Sequence, residues 1–153
     1  MMHIVLHEPE IPQNTGNVVR TCSATGSVLH LIGPLGFSVT DAQLKRAGLD
    51  YWRDVDIRTH EDFDTFLHDV KGQRVWLVET TGGRLYHEAD FQDGDCLIFG
   101  KETTGLPAEI CAAYPGRCLR LPMLPGTRSL NLSNSVAVAL YEALRQQGFH
   151  KFI

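Results

Sequence analysis

The chain has 153 residues, of which 43% are hydrophobic and 21% charged, ordinary values for a globular protein with its own core. Its formal net charge of −4, with histidine neutral, argues against a protein that coats nucleic acid non-specifically, although a local basic face remains compatible. No run approaches the roughly 20 apolar residues of a membrane span, and the N-terminus does not resemble a signal peptide, so we expect a cytoplasmic protein without a membrane segment.

The predicted elements alternate between strands and helices. Residues 4–7 form a short apolar run, which predicts a strand. Apolar positions at helical spacing predict a helix over residues 14–25, and Gly26 ends it. A short helix follows the second strand, with Asp41 as its cap and Gly48 after its last residue. In chain order, the other predicted elements are strand 28–32, helix 41–47, strand 55–59, helix 61–68, strands 74–80 and 96–99, helix 106–113, strand 118–121 and helix 131–147.

This alternation predicts an α/β fold with a mainly parallel sheet that is flanked by helices. No linker-like segment and no repeat interrupts the pattern, so residues 1–153 are expected to form a single domain. Ligands of such sheets lie beyond the carboxyl ends of the strands. Segments 79–83, 100–107 and 121–131 all follow predicted strands, and we expect a small-molecule site there.

The segment Asn14-Thr-Gly-Asn-Val-Val-Arg20 opens the first predicted helix. Asn14 suits the N-cap, but the helix dipole does not favour a cation such as Arg20 near a helix start. Asn17 and Arg20 lie about one turn apart, so they share a face that could present an amide and a guanidinium to an anionic or hydroxylic substrate. A simple helix start and a substrate contact both remain open on spacing alone.

Two later segments are richer in polar groups than their turns require. Residues 99–107, Phe-Gly-Lys-Glu-Thr-Thr-Gly-Leu-Pro, contain neither a Walker A nor a GxGxxG pattern, which disfavours a phosphate cradle or a dinucleotide site. The proline-stiffened loop 121–126 leads to four polar residues, although one helix cap needs only one. These residues are Ser129, Asn131, Ser133 and Asn134. Together with apolar Leu121, Met123, Leu124 and Leu130, they are typical of a pocket that binds a flat ring.

Histidines and cysteines give no motif for metal or hydrolytic chemistry. The seven histidines include no HxxxH or HxH pair, and the four cysteines include no CxxC pair, so we expect no metal and reduced thiols. No GxSxG elbow occurs, which disfavours a hydrolase. A basic cluster between residues 45 and 58 is either a solvated face or a surface for RNA phosphates and bases. It contains Lys45, Arg46, Arg53 and Arg58, with Tyr51 and Trp52 among them.

Taken in order, NTGNVVRTC, FGKETTGLP and RSLNLSNSVAVALYE resemble the three signature motifs of the SPOUT superfamily of RNA methyltransferases. Residues 4–12 and the block RAGLDY (46–51) are similar to the small TrmL (YibK-like) subfamily, which has a bare catalytic domain. The resemblance covers nearly the whole chain. It implies a deep C-terminal trefoil knot within the α/β fold, a feature that the strand and helix pattern does not predict.

The resemblance implies S-adenosyl-L-methionine as methyl donor, with S-adenosyl-L-homocysteine as product. The implied acceptor is the ribose 2′-hydroxyl of the wobble nucleotide of tRNA, a cytidine or modified uridine at position 34 of leucine tRNAs. It also implies a homodimer in which Arg20 of one subunit meets the cofactor of the other. Carried onto this chain, the catalytic candidates are Arg20 and Asn17. The cofactor-binding candidates are Glu79, Thr80, Gly100, Glu102, Leu121, Met123, Ser129, Leu130 and Asn131, and the RNA-binding candidates are Lys45, Arg46, Arg53, Arg128 and Tyr141.

Glu79 departs from the family pattern, in which the nearby position is often apolar, and a contact through its backbone would make the change tolerable. Two alternatives stay open. The chain could methylate ribosomal RNA or another small RNA, because the motifs report the chemistry better than the target. It could also be a non-catalytic module that binds RNA or adenosine, although the presence of Arg20 and of all three loops argues against that.

Overall fold

The computed structural model describes residues 1–38, 40 and 42–153, without the side chains of residues 43, 45 and 47–49. The predicted cap Asp41 and the side chain of the RNA-binding candidate Lys45 therefore lie outside the described residues. Among the helices in the described part of the chain, none has the length and apolar character to cross a membrane.

Seven strands form one sheet in the order β3-β2-β1-β6-β4-β7-β5, and each of its described pairings is parallel. The strands are β1 (His3–His7), β2 (Val28–Ile32), β3 (Ile57–His60), β4 (Val75–Val78), β5 (Arg84–Leu85), β6 (Cys96–Phe99) and β7 (Cys118–Arg120). The helices are α1 (Pro12–Thr25), α2 (Ala42–Trp52), α3 (Phe63–Asp69), α4 (Ala108–Ala112) and α5 (Leu132–Gln146), with a short 3-10 turn at Tyr86–Glu88. The predicted α/β fold with a mainly parallel sheet is thus confirmed.

The sheet has a hydrophobic core on each face. Alternate residues of one strand enter different cores, as Ile4 and Leu6 pack on the side of α1 and α5 while Val5 packs on the side of α3. Every residue of β1, β2, β4 and β6 is buried. Burial on both faces requires apolar residues at successive positions, which is why these strands read as continuous apolar runs.

The structure differs from the prediction at the start of α1, at the end of α2 and at β5. α1 begins at Pro12 with Ile11 as its N-cap, so Asn14 is not the cap but a buried residue of the first turn. Proline is favoured there because its missing N–H would have no helical partner. α2 continues through Gly48 to Trp52, and packing against α1 explains why the glycine does not end it. The pattern also missed β5, which has only two residues.

Three buried histidines form a hydrogen-bonded row across β1, β2 and β3, which we call the histidine row. His3 Nδ1 lies 2.9 Å from His30 Nε2, and His30 Nδ1 lies 2.9 Å from His60 Nε2. The Gln73 amide nitrogen lies 3.0 Å from His3 Nε2, while its oxygen accepts from the Cys96 thiol. This orientation makes Gln73 the first donor. Each imidazole then accepts through Nε2, and His3 and His30 donate through Nδ1 to the next ring. Three accepting rings must all be neutral.

Candidate active site

Three loops converge at the carboxyl ends of neighbouring strands. Segments 79–83, 100–107 and 121–131 follow β4, β6 and β7, which are adjacent in the sheet. A cavity of about 600 Å³ lies between them. Its lining includes all the cofactor-binding candidates: Glu79, Thr80, Gly100, Glu102, Leu121, Met123, Ser129, Leu130 and Asn131. The fold thus brings together residues that the sequence placed in three separate segments, whereas their contact with a cofactor stays a prediction.

The second loop turns back tightly on itself. Gly105 N–H donates to the Lys101 carbonyl over 2.9 Å, and Gly105 has φ +70°, a left-handed conformation that favours glycine. A Cβ on Gly100 would collide with the backbone of Gly105 and Leu106. The two glycines therefore allow the backbone of this loop to form one wall of the cavity.

Glu79 supports this loop through its side chain. Its carboxylate accepts from the Leu106 N–H over 2.6 Å and from the Thr80 N–H over 3.0 Å, and it lies against Gly105. The sequence alone indicated a contact through the backbone of Glu79, not through its side chain. The acidic side chain at this position thus has a local explanation, because it bridges the first and second loops of the cavity.

Asn131 joins the third loop to the start of α1. Its side-chain oxygen accepts from the Ser133 and Asn134 N–H groups, which makes Asn131 the N-cap of α5. Its amide nitrogen donates to Asn14 Oδ1 over 2.9 Å. Asn14, predicted from the sequence to cap the first helix, therefore lines the cavity as well. No local pattern reveals this contact, because the two residues are 117 positions apart.

Asn131→Ala is expected to lower the free energy of unfolding by about 1–3 kcal/mol. The change removes the cap of α5 and leaves buried Asn14 without the amide that donates to it. Denaturant unfolding at neutral pH measures the loss, and the matched control is Asn134→Ala, an exposed residue of the same helix turn. Equal stability of the two variants would contradict the prediction.

Glu102 fixes the segment before α1. One carboxylate oxygen accepts from the Glu10 and Ile11 N–H groups, at 2.8 and 3.1 Å. In return, Glu10 accepts from the Thr103 N–H and hydroxyl, and these hydrogen bonds hold the pKa of the Glu10 carboxyl below its usual value. The other oxygen of Glu102 is buried and has no hydrogen-bond partner among the described residues. It is therefore a free acceptor on a residue that lines the cavity.

The catalytic candidates lie apart from this cavity. Asn17 and Arg20 are exposed on α1, at the predicted helical spacing, and neither belongs to the cavity lining. The Arg20 guanidinium carbon lies 5.3 Å from the centre of the Tyr51 ring. The single chain therefore does not bring Arg20 to the site where the nine cofactor-binding candidates meet.

Four RNA-binding candidates with described side chains are exposed and lie outside the cavity lining. They are Arg46, Arg53, Arg128 and Tyr141. Arg58, from the same basic cluster, is held by Asp56 at 2.8 Å and by Asp69 at 3.4 Å. These ion pairs make Arg58 a weaker candidate for contact with RNA phosphate.

Comparison with known proteins gives a consistent family assignment. The model of the SpoU rRNA Methylase family matches residues 1–141. The tRNA (cytidine(34)-2'-O)-methyltransferase of Escherichia coli (strain K12) is 49% identical over 150 residues, covering 97% of this chain and 96% of that protein. A solved structure described as giving insights into the 2-OH methylation of C/U34 on tRNA has 50% identity and a TM-score of 0.93, and the match covers 98% of both chains.

An AdoMet-bound rRNA methyltransferase from Sinorhizobium meliloti has 25% identity and a TM-score of 0.85, with 94% of this chain and 56% of that chain covered. The family model spans most of the chain, and the relative from Escherichia coli matches nearly its full length. This chain therefore belongs to the SpoU rRNA methylase family.

Proposed function

We propose that this protein transfers a methyl group from S-adenosyl-L-methionine to the ribose 2′-hydroxyl of nucleotide 34 of tRNA. The observation that carries the proposal is the three-loop cavity, in which all nine cofactor-binding candidates meet. Relatives that match over nearly their full length and are named for C34 or C/U34 chemistry support the tRNA target. We extend the proposal to leucine tRNAs, with cytidine or modified uridine as the acceptor nucleotide.

The residues of the cavity fit the proposed cofactor. A volume of about 600 Å³ lies within the usual range for a small-molecule site. Leu121, Met123 and Leu130 offer apolar surface to a flat ring, and the free oxygen of Glu102 offers an acceptor. When bound, the cofactor would supply a sulfonium methyl group, which the ribose oxygen would attack in line with displacement of S-adenosyl-L-homocysteine and loss of the hydroxyl proton to solvent. The residues of the loops have to hold the two reacting groups in line, since this transfer is largely a matter of positioning.

We propose that a homodimer completes the site. Residues 122–131 are all exposed in the single chain, and Leu124 in this loop is 78% exposed. α5 also exposes Val138 and Tyr141. A second subunit on this surface would cover apolar side chains and could bring its Arg20 to the cavity of the first. In that site Arg20 binds the phosphate next to the acceptor and stabilises negative charge on the 2′-oxygen, with Asn17 beside it.

We propose that residues 1–153 act as one cytoplasmic catalytic domain and that the C-terminal part forms a trefoil knot. The position of β7 between β4 and β5, both of which precede it in the chain, supports the knot. So does the close approach of Gly82 to the Leu119 backbone, since a Cβ on this glycine would collide there.

The decisive experiment incubates the purified protein with radiolabelled S-adenosyl-L-methionine and total tRNA and then maps the methylated nucleotide. A 2′-O-methyl group at position 34 supports the proposal, and separation of isoacceptors tests the preference for leucine tRNAs. Label found only in ribosomal RNA, in a parallel reaction, would favour the alternative target. Cofactor binding without transfer to any RNA would favour the non-catalytic module.

Mixing two inactive variants tests whether the site is shared between subunits. Arg20→Ala keeps the cavity, whereas Thr80→Trp keeps Arg20 and places a bulky side chain at the cavity wall. If each site combines the cavity of one subunit with Arg20 of the other, random mixed dimers recover at most about a quarter of wild-type activity. Calorimetry with the cofactor checks whether Thr80→Trp blocks binding. If it does, absence of recovered activity after the two variants are refolded together would contradict a shared site.

Glu79→Ala is expected to weaken binding of S-adenosyl-L-homocysteine by about tenfold or more, because it removes the charged acceptor that holds the Leu106 N–H in the second loop. Glu79→Gln should restore much of the affinity, since its amide oxygen can accept from the same N–H. Titration calorimetry measures both variants. Glu61→Ala, an exposed residue away from the cavity, is the control. Unchanged affinity in Glu79→Ala would show that the loop does not depend on this carboxylate.

Binding of tRNA is expected to be moderate and to weaken with salt, because each arginine that contacts a phosphate releases counterions. Arg53→Gln should reduce the slope of log affinity against log salt concentration by about one unit. Filter binding over a series of salt concentrations measures the slope, with Arg58→Gln as the ion-paired control. A slope of zero for the wild-type protein would contradict the prediction.

A further inference from the structure

Arg20 has an unusual environment for an exposed arginine. Its guanidinium lies over the face of Tyr51, and no carboxylate among the described residues forms an ion pair with it. Arg58, by contrast, has two acidic partners. The described contact that holds the Arg20 guanidinium is therefore aromatic rather than ionic.

Tyr51 provides a fixed surface for this contact. It lies in the last turn of α2, is half-buried, and packs against the core on the side of the sheet that carries α1. α1 and α2 pack closely along one another. The ring is thus anchored by the fold, whereas the arginine above it is exposed.

The geometry of a guanidinium makes this support chemically useful. A guanidinium above an aromatic ring is attracted to it through its charge and is not held by an ion pair. Its N–H donors therefore remain available to bind a phosphate or a developing oxyanion. A carboxylate partner would instead use those donors and neutralise the charge. The contact also occupies one face of the Tyr51 ring, which makes Tyr51 a poor platform for an RNA base on that face.

We propose that Tyr51 is a positioning residue that holds the Arg20 guanidinium over its ring and leaves the N–H edge of Arg20 free for the RNA. The inference rests on the proposed function, in which Arg20 acts on the tRNA at the cavity of the other subunit. Tyr51 itself contacts neither the cavity nor the reacting atoms and acts through Arg20.

A graded series of rings at position 51 separates this role from a structural one. Replacement of Tyr51 by phenylalanine, 4-fluorophenylalanine and 3,4,5-trifluorophenylalanine keeps the shape of the ring while fluorine progressively weakens its attraction for a cation. We expect kcat with saturating tRNA to fall stepwise along the series, and Tyr51→Leu to lower it by about three- to fivefold. Tyr51→Phe should retain most of the kcat that Tyr51→Leu loses. Tm and the Kd for S-adenosyl-L-homocysteine should stay constant along the ring series.

The control is Tyr114→Leu, a half-buried tyrosine against the other core, which should lower Tm and leave kcat unchanged. A kcat that does not respond to fluorination, or that follows Tm across the variants, would overturn the inference. Arg20→Ala distinguishes this failure from failure of the proposed function. If Arg20→Ala is inactive and the ring series is flat, only the role of Tyr51 is wrong. If Arg20→Ala has wild-type turnover, the proposed role of Arg20 fails, and that of Tyr51 fails with it.

Discussion

Arg20→Ala is expected to abolish turnover, with kcat lower by at least about 10²- to 10³-fold, the usual effect of removing a group that stabilises developing charge. The affinity for S-adenosyl-L-homocysteine should stay close to that of the wild type, because Arg20 does not line the cavity. Single-turnover methylation of tRNA and titration calorimetry measure the two quantities independently. Wild-type-like turnover would exclude Arg20 from the catalytic machinery.

Arg20→Lys tests which property of the side chain matters. Arginine side chains in proteins stay protonated, so a role in charge stabilisation and phosphate binding is chemically easier than a role as general base. Lysine keeps the positive charge but cannot offer the planar fork of donors. We therefore expect partial activity with an unchanged pH dependence. A new ionisation in the pH profile of the lysine variant would instead indicate proton transfer by residue 20.

The matched control for both substitutions is Lys71→Ala. Lys71 is an exposed cation in the turn after α3, outside the cavity and away from α1. Its removal changes the net charge as Arg20→Ala does, so any effect of overall charge on tRNA binding should appear in both variants. A loss of kcat confined to Arg20→Ala assigns the effect to the position of the charge.

The sheet and the convergence of the three loops could be predicted from the sequence, because each depends on local patterns. Strands buried on both faces require apolar runs, and loops that follow parallel strands meet at one edge. β5 could not be predicted because two residues carry too little pattern. Helix α2 extends beyond its glycine because tertiary packing outweighs a local propensity of about 1 kcal/mol.

The contacts that shape the site could not be predicted, because they join distant parts of the chain. Asn14 meets Asn131, and Glu79 meets Leu106, through hydrogen bonds for which neither partner has a local sequence signal. The histidine row shows the same limit. His3 and His30 are 27 positions apart, and His30 and His60 are 30 positions apart, so they form no short histidine motif. Three neighbouring parallel strands nevertheless place them side by side.

The histidine row should make the protein sensitive to mild acid. A protonated imidazole donates through both nitrogens, so it cannot accept from its neighbour in the row. Burial lowers the pKa of His3 and His60, and lowers that of His30 to about 3. Other charged groups around the row act in both directions. Arg58 lowers the pKa of all three histidines, whereas Asp69 raises it. The N-terminus lowers the pKa of His3 and Asp56 raises it, while His3 and His60 lower that of His30.

The direction of the effect follows from the lowered pKa values. Below about pH 6.5 the unfolded chain takes up protons that the folded row excludes, so the free energy of unfolding falls as the pH falls. Between pH 7 and pH 5 the loss amounts to about 2 kcal/mol for His30 alone. Carboxylates with lowered pKa values, such as Asp95 beside Arg74, lose their contribution only at lower pH. The interval from pH 5 to pH 7 therefore reports on histidines.

Denaturant unfolding of the wild-type protein and of His30→Gln at several pH values between 5 and 8 tests this account. The variant should be less stable at pH 8, because the substitution disrupts the row. As the pH falls, however, its free energy of unfolding should decrease less steeply, because unfolding takes up about one proton fewer than in the wild type. His87→Gln, which removes an exposed histidine, should leave the slope unchanged. The curves of the wild type and His30→Gln should therefore converge toward pH 5. Parallel curves would mean that His30 titrates alike in the folded and unfolded chain and that the row is not the source of the acid sensitivity.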